Sequence, residues 1–76
     1  MQSQEKFRFR KATDIDRAYA TFELMAGDVA ILDVGFSDDG VFEVAFNEAI
    51  VGMVIDWVHL QDWIERGKRM AEADRS

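Results

Sequence analysis

A chain of 76 residues has interior enough for one modest core, and a hydrophobic fraction of 49% with six Phe, two Trp and one Tyr is ample to fill it. The formal charge of −6 argues against direct binding to nucleic acid or anionic lipid, because both polyanions recruit Lys and Arg. With no cysteine there is neither a disulfide staple nor a thiolate, so stability has to come from packing or from association with another chain. The polar start, Met1-Gln2-Ser3-Gln4-Glu5-Lys6, lacks the apolar run of a secretory signal. The longest apolar run, 49–55, is interrupted by Gly52 and falls well short of the roughly 20 residues a membrane span needs. These features predict one cytoplasmic domain over residues 1–76, frayed at 1–5 and 74–76.

Residues 6–10, Lys6-Phe7-Arg8-Phe9-Arg10, alternate basic and aromatic. A period of two places both Phe on one face of a short strand and three cations on the other. A nucleic-acid-binding arm would need a larger basic surface than this, so the cations are read as partly offsetting the acidic middle of the chain. Thr13-Asp14-Ile15-Asp16 has the form of an N-cap followed by acids in a first turn, which predicts a helical turn. Over 19–25 the apolar Ala20, Phe22 and Leu24 alternate with Thr21 and Glu23, the pattern of a half-buried strand. Ala26-Gly27-Asp28 supplies a turn, and 29–36 continues as a strand with Ala30, Leu32, Val34 and Phe36 inward and Asp33 outward.

The next reversal fixes a register. A three-residue loop, Asp38-Asp39-Gly40, with Gly in the left-handed position pairs Ser37 with Val41 and Phe36 with Phe42. Val34 then meets Val44 and Leu32 meets Phe46 on one face. A two-residue loop would set Phe36 against Glu43 and turn one strand's apolar set into water.

Segment 47–57 admits two readings. Its β-branched residues and Gly52 favour a turn near 48–52 followed by a short further strand ending at Trp57. The seven-residue spacing of Ile50, Trp57, Ile64 and Ala71, shared by Met53 and Leu60, would instead suit one long helix, at a cost where Gly52 and the β-branched run lie at its start. A C-terminal helix follows in either case. His59 serves as its N-cap with Val58 and Trp63 as a hydrophobic staple, and Leu60, Trp63, Ile64, Gly67, Met70 and Ala71 form its apolar stripe. Gly67 predicts close approach to the sheet or to Trp57. The architecture expected is α+β, an antiparallel meander of four or five strands with one C-terminal amphipathic helix on one face.

Charge is segregated along this chain. Between residues 18 and 65 there are ten carboxylates, Glu23, Asp28, Asp33, Asp38, Asp39, Glu43, Glu48, Asp56, Asp62 and Glu65, and all nine basic residues lie outside that stretch. Solubility alone is served by interspersed signs, so the segregation points to a basic protein partner. The acidic face predicted to meet it comprises Glu23, Asp33, Glu43, Asp38, Asp39 and Glu48, with Trp57 or Trp63 as an anchor. Glu23, Asp33 and Glu43 share the outer sheet face. Paired carboxylates can serve as acid and base or hold Mg²⁺ or Ca²⁺, but this row has no His, Cys or Lys beside it and lies on an open face. The single histidine, the placement of Ser3, Ser37 and Ser76, and the scattered glycines build neither a metal site, a nucleophilic triad nor a phosphate loop. The expectation is a non-enzymatic protein without metal or cofactor.

Met25, Val29, Ile31, Val41 and Ala45 are placed by parity on that same outer face, more apolar than an open face needs. A second copy of the chain would cover it, although acid rows would then oppose each other. In size and charge the chain is similar to small acidic inhibitors such as nuclease-toxin immunity proteins and phage anti-CRISPR proteins, which occupy basic surfaces of their targets. That likeness covers no residues; it implies an inhibitor and assigns no site.

Overall fold

The computed structural model describes residues 7–75. Lys6, the expected frayed segment 1–5 and Ser76 lie outside the described residues. Four antiparallel strands, β1 (Phe7–Ala12), β2 (Thr21–Ala26), β3 (Val29–Phe36) and β4 (Phe42–Phe46), lie side by side in chain order, and helix α1 (Trp57–Arg75) follows. This is the α+β meander with a C-terminal helix that the alternation of apolar residues predicts. No helix among the described residues is long and apolar enough to cross a membrane.

The pairing carries the apolar parity across the sheet. Phe9, Leu24, Leu32 and Phe46 lie in one row, and Phe22, Val34 and Val44 in the next. Phe22, Leu24, Leu32, Val34 and Phe36 are buried with Trp63 and Ala71 of the helix. Burial at about 25 cal/mol per Å² of apolar surface is the main force holding these layers together. The hairpin closes as its sequence requires: Ser37 N–H donates to Val41 C=O at 2.8 Å, Gly40 N–H donates to Ser37 C=O at 2.8 Å, and Gly40 has φ +85°.

One strand departs from simple alternation. Leu24 faces Leu32 but Met25 faces Ala30, leaving Ile31 as an extra residue. Such a bulge turns two successive side chains toward the same side. Ile31 therefore joins the core instead of the outer face, and Ala30 loses the inward position that parity assigned to it. Met25 is buried as well.

The segment after β4 corrects both sequence readings. Glu48–Ile50 forms a single 3₁₀ turn, residues 53–56 enter no ladder, and the helix begins only at Trp57. The chain here runs from Asn47, bonded to Ile31 C=O, across the end of the sheet to the cleft beside Phe7. It never runs alongside a strand with which it could pair, so no fifth strand forms. Nor is the stretch 13–16 a helical turn capped by Thr13. Asp14 instead holds a tight turn, its C=O accepting from Arg17 N–H and its carboxylate from Asp16 N–H, while Ile15 is fully exposed.

The helix start also moves. Asp56, not His59, is the N-cap: its carboxylate accepts the His59 backbone N–H at 3.1 Å and contacts the His59 ring, and its C=O accepts Leu60 N–H. The staple positions become Ile55 and Leu60, both packed on the core, whereas Val58 is exposed. Of the predicted stripe, Trp63, Gly67 and Ala71 are buried and Met70 is exposed. Gly67 faces the sheet, not Trp57. A Cβ there would lie 2.5 Å from Val34 Cγ2 and 3.1 Å from the Phe9 ring. Residues 74 and 75 remain helical and anchored, because Lys11 pairs with Asp74 at 2.6 Å and Arg75 stacks 3.8 Å from the centre of the Phe36 ring.

Candidate protein-binding surfaces

Sheet pairing builds the outer acidic row. Arg10, Glu23, Asp33 and Ala45 are consecutive partners across the four strands, and Glu43, opposite Gly35, is the diagonal neighbour of Asp33. Arg10 takes Glu23 in a two-nitrogen contact at 2.6 and 2.9 Å. Asn47 donates to Asp33 at 3.1 Å and to Ala30 C=O at 3.2 Å. Arg17 borders the shallow depression that Asp33, Gly35 and Glu43 share, and its guanidinium donates to Phe36 C=O at 3.0 Å. Two of this row's three carboxylates, Glu23 and Asp33, are thus occupied in holding the fold.

The remaining predicted acids divide in the same way. Asp38 clips the chain by accepting Ala18 N–H at 2.8 Å. Glu43, Asp39 and Glu48 are exposed, and none makes a side-chain hydrogen bond or ion pair among the described residues. Arg8 does not reach the acids; it donates to Gly27 C=O at 3.0 Å. The acidic face that can receive a partner is smaller than the sequence suggests.

The two tryptophans separate completely. Trp63 is 7% exposed, its ring centre 4.7 Å from that of Phe7. Trp57, six residues earlier, is 66% exposed, and Val51, Val54, Val58 and Met53 are also exposed. Together they form an apolar shelf over 51–58. Beside it a cleft of about 250 Å³ is lined by Phe7, Met53, Val54, Ile55, Asp56 and His59, among others. Val58 continues onto a helix surface shared with Asp62, Glu65 and Arg69. Glu48 lies in the turn that leads into the shelf. Asp62 faces Arg66 at 3.8 Å and Glu65 makes no ion pair among the described residues.

Sequence reasoning missed the shelf because the run 51–58 resembles a buried strand; its lack of alternation was the only signal to the contrary. Among the described residues no three His, Cys, Asp or Glu side chains converge as they would around a metal ion. Among the described residues, Asp56 has a displaced pKa. The hydrogen bond from the His59 side chain, and after it the His59 backbone N–H, hold its carboxyl below the ordinary aspartate value. This is the electrostatics of a helix cap. No protein-family model, curated protein or solved structure matches the chain.

Proposed function

We propose that this chain is a non-enzymatic protein-binding module, an inhibitor of the immunity-protein or anti-CRISPR kind that presents carboxylates to a basic, nucleic-acid-handling protein. The observation that carries this reading is the exposure of Trp57, Val51, Val54 and Val58 on an apolar shelf, with Glu48 preceding it in the chain and Asp62, Glu65 and Arg69 on the helix surface beside Val58. A solvated surface has no use for so many adjacent apolar side chains, which lose free energy in water. An exposed aromatic in a segment, 48–65, that holds four carboxylates and no Lys or Arg fits a partner with an apolar recess and a cationic rim. The carboxylates would act at longer range, raising the association rate in a manner that added salt suppresses.

The test compares proteins retained from a lysate of the native host by the parent chain, by Trp57→Ala and by the pair Glu48→Lys with Glu65→Lys. A basic protein retained by the parent should be lost by at least about thirtyfold in affinity with Trp57→Ala. Charge reversal should lower the association rate and flatten its salt dependence, and the parent should displace nucleic acid from that protein. Retention unchanged by either variant would sink the proposal. Reversal at Glu23 and Asp33 should matter less, since Arg10 and Asn47 already engage them.

A further inference from the structure

Strand β4 is a free edge with a sequence that matches itself. The hydrogen bonds at the two ends of its pairing with β3, Ser37 N–H to Val41 C=O at 2.8 Å and Asn47 N–H to Ile31 C=O at 3.0 Å, set the alternation between them. Odd-numbered residues from Val41 to Asn47 bond inward to β3, and the N–H and C=O groups of Phe42, Val44 and Phe46 point away from the sheet. The strand reads Phe42-Glu43-Val44-Ala45-Phe46, which is Phe, Glu, Val, Ala, Phe about a central valine. On the core-side face the helix covers this strand incompletely: Phe42 and Val44 are half-buried and Phe46 is 59% exposed.

We infer that β4 pairs antiparallel with β4 of a second copy about a two-fold axis at Val44, joining two sheets into one of eight strands. In that register Val44 opposes its own counterpart, Phe42 opposes the second copy's Phe46, and every outward backbone group of these residues gains a partner. The exposed Phe46 ring is covered by the Phe42 ring of the other copy on the core-side face. On the outer face Glu43 falls opposite Ala45, so no two carboxylates directly oppose each other. That answers the charge repulsion which pairing through the acidic face itself would incur. The β4 edge is guarded by a single charge, Glu43, and has no Lys, Arg or Pro, whereas the opposite edge strand carries Arg8, Arg10 and Lys11. The inference is independent of target binding, which uses the shelf and not this edge.

Sedimentation velocity and concentration-dependent amide exchange test it together. The parent should pass from monomer to dimer below millimolar concentration, with protection growing at the amides of Phe42, Val44 and Phe46 while those of Glu43 and Ala45 are protected throughout. Ala45→Glu places a carboxylate against Glu43 of the other copy and should weaken dimerisation by about tenfold or more. Adding Glu43→Lys to that variant should restore it by making both cross-pairs attractive. Circular dichroism checks folding of every variant; should either fail to fold, Val44→Pro, whose missing N–H is one that points outward, should give a monomer instead. A parent that remains monomeric at submillimolar concentration, or a dimer indifferent to Ala45→Glu and Val44→Pro, would overturn the inference.

Discussion

At the β1 edge Phe7 lies against Trp63, Phe9 lies beneath Gly67 and Lys11 pairs with Asp74, so the helix half-buries the inward rings of that strand. At the β4 edge it reaches across only through long side chains, with Lys68 5.9 Å from the Phe42 ring centre, and leaves Phe46 open. The same apolar parity thus leaves Phe7 and Phe9 half-buried at one edge and Phe46 open to water at the other. The difference arises from where one helix can lie. Gly67 lets the helix backbone settle over Phe9 and Val34, and a helix about 10 Å across cannot also cover a strand at the far side. An edge with three cations favours a soluble end to the sheet, and one with a single carboxylate and an open aromatic ring leaves more room for another chain.

Substitution at matched positions breaks this comparison most sharply. Trp63→Ala should cost about 4 kcal/mol in denaturant unfolding, since it empties a buried site. Phe46→Ala should cost less than about 1 kcal/mol in dilute solution, because water already reaches its ring. Equal costs would mean the two edges are equally packed.

Gly67→Ala probes the close approach itself. Alanine gains about 1 kcal/mol of helix propensity, but a methyl 2.5 Å from Val34 Cγ2 forces a shift in a β-branched side chain whose rotamers are few. Overpacking of this kind costs about 1 to 3 kcal/mol, so a net loss near 1 kcal/mol is expected in the same assay. A stabilised variant would show that the helix does not need to lie so near the sheet.

The smallest effect concerns the cap that starts the helix. The Asp56 carboxyl is held below its ordinary value, so it binds protons less readily folded than unfolded. Its contribution is present above the unfolded aspartate pKa of about 4 and is lost as pH falls through the lower folded value. Unfolding midpoints measured on acidification should fall less steeply for Asp56→Asn, which keeps an acceptor at the cap and removes the titration. Identical acid limbs for parent and variant would remove Asp56 from the pH dependence.

Much of the fold was legible because each local signal served the same end. The alternation in 19–25 and 29–36, and a loop whose glycine takes a positive φ, admit one register that keeps all the apolar sets together. The site was less legible. Glu23 and Asp38 look as available in sequence as Glu43 and Asp39, but Arg10 and the Ala18 N–H claim the first pair. Trp57 and Trp63 differ by less than two turns, yet only the second faces the sheet.

From sequence alone came the meander, the hairpin register, the outward placement of Glu23, Asp33 and Glu43 and the apolar face of the helix, since each follows from the period of a strand or helix and needs no distant partner. Tertiary structure decided the bulge that turns Ile31 inward, the cap at Asp56, the missing fifth strand and the edge left open at β4. These depend on which surfaces meet across the chain. A one-dimensional pattern records whether a residue prefers burial, but only packing determines what is left to bury it.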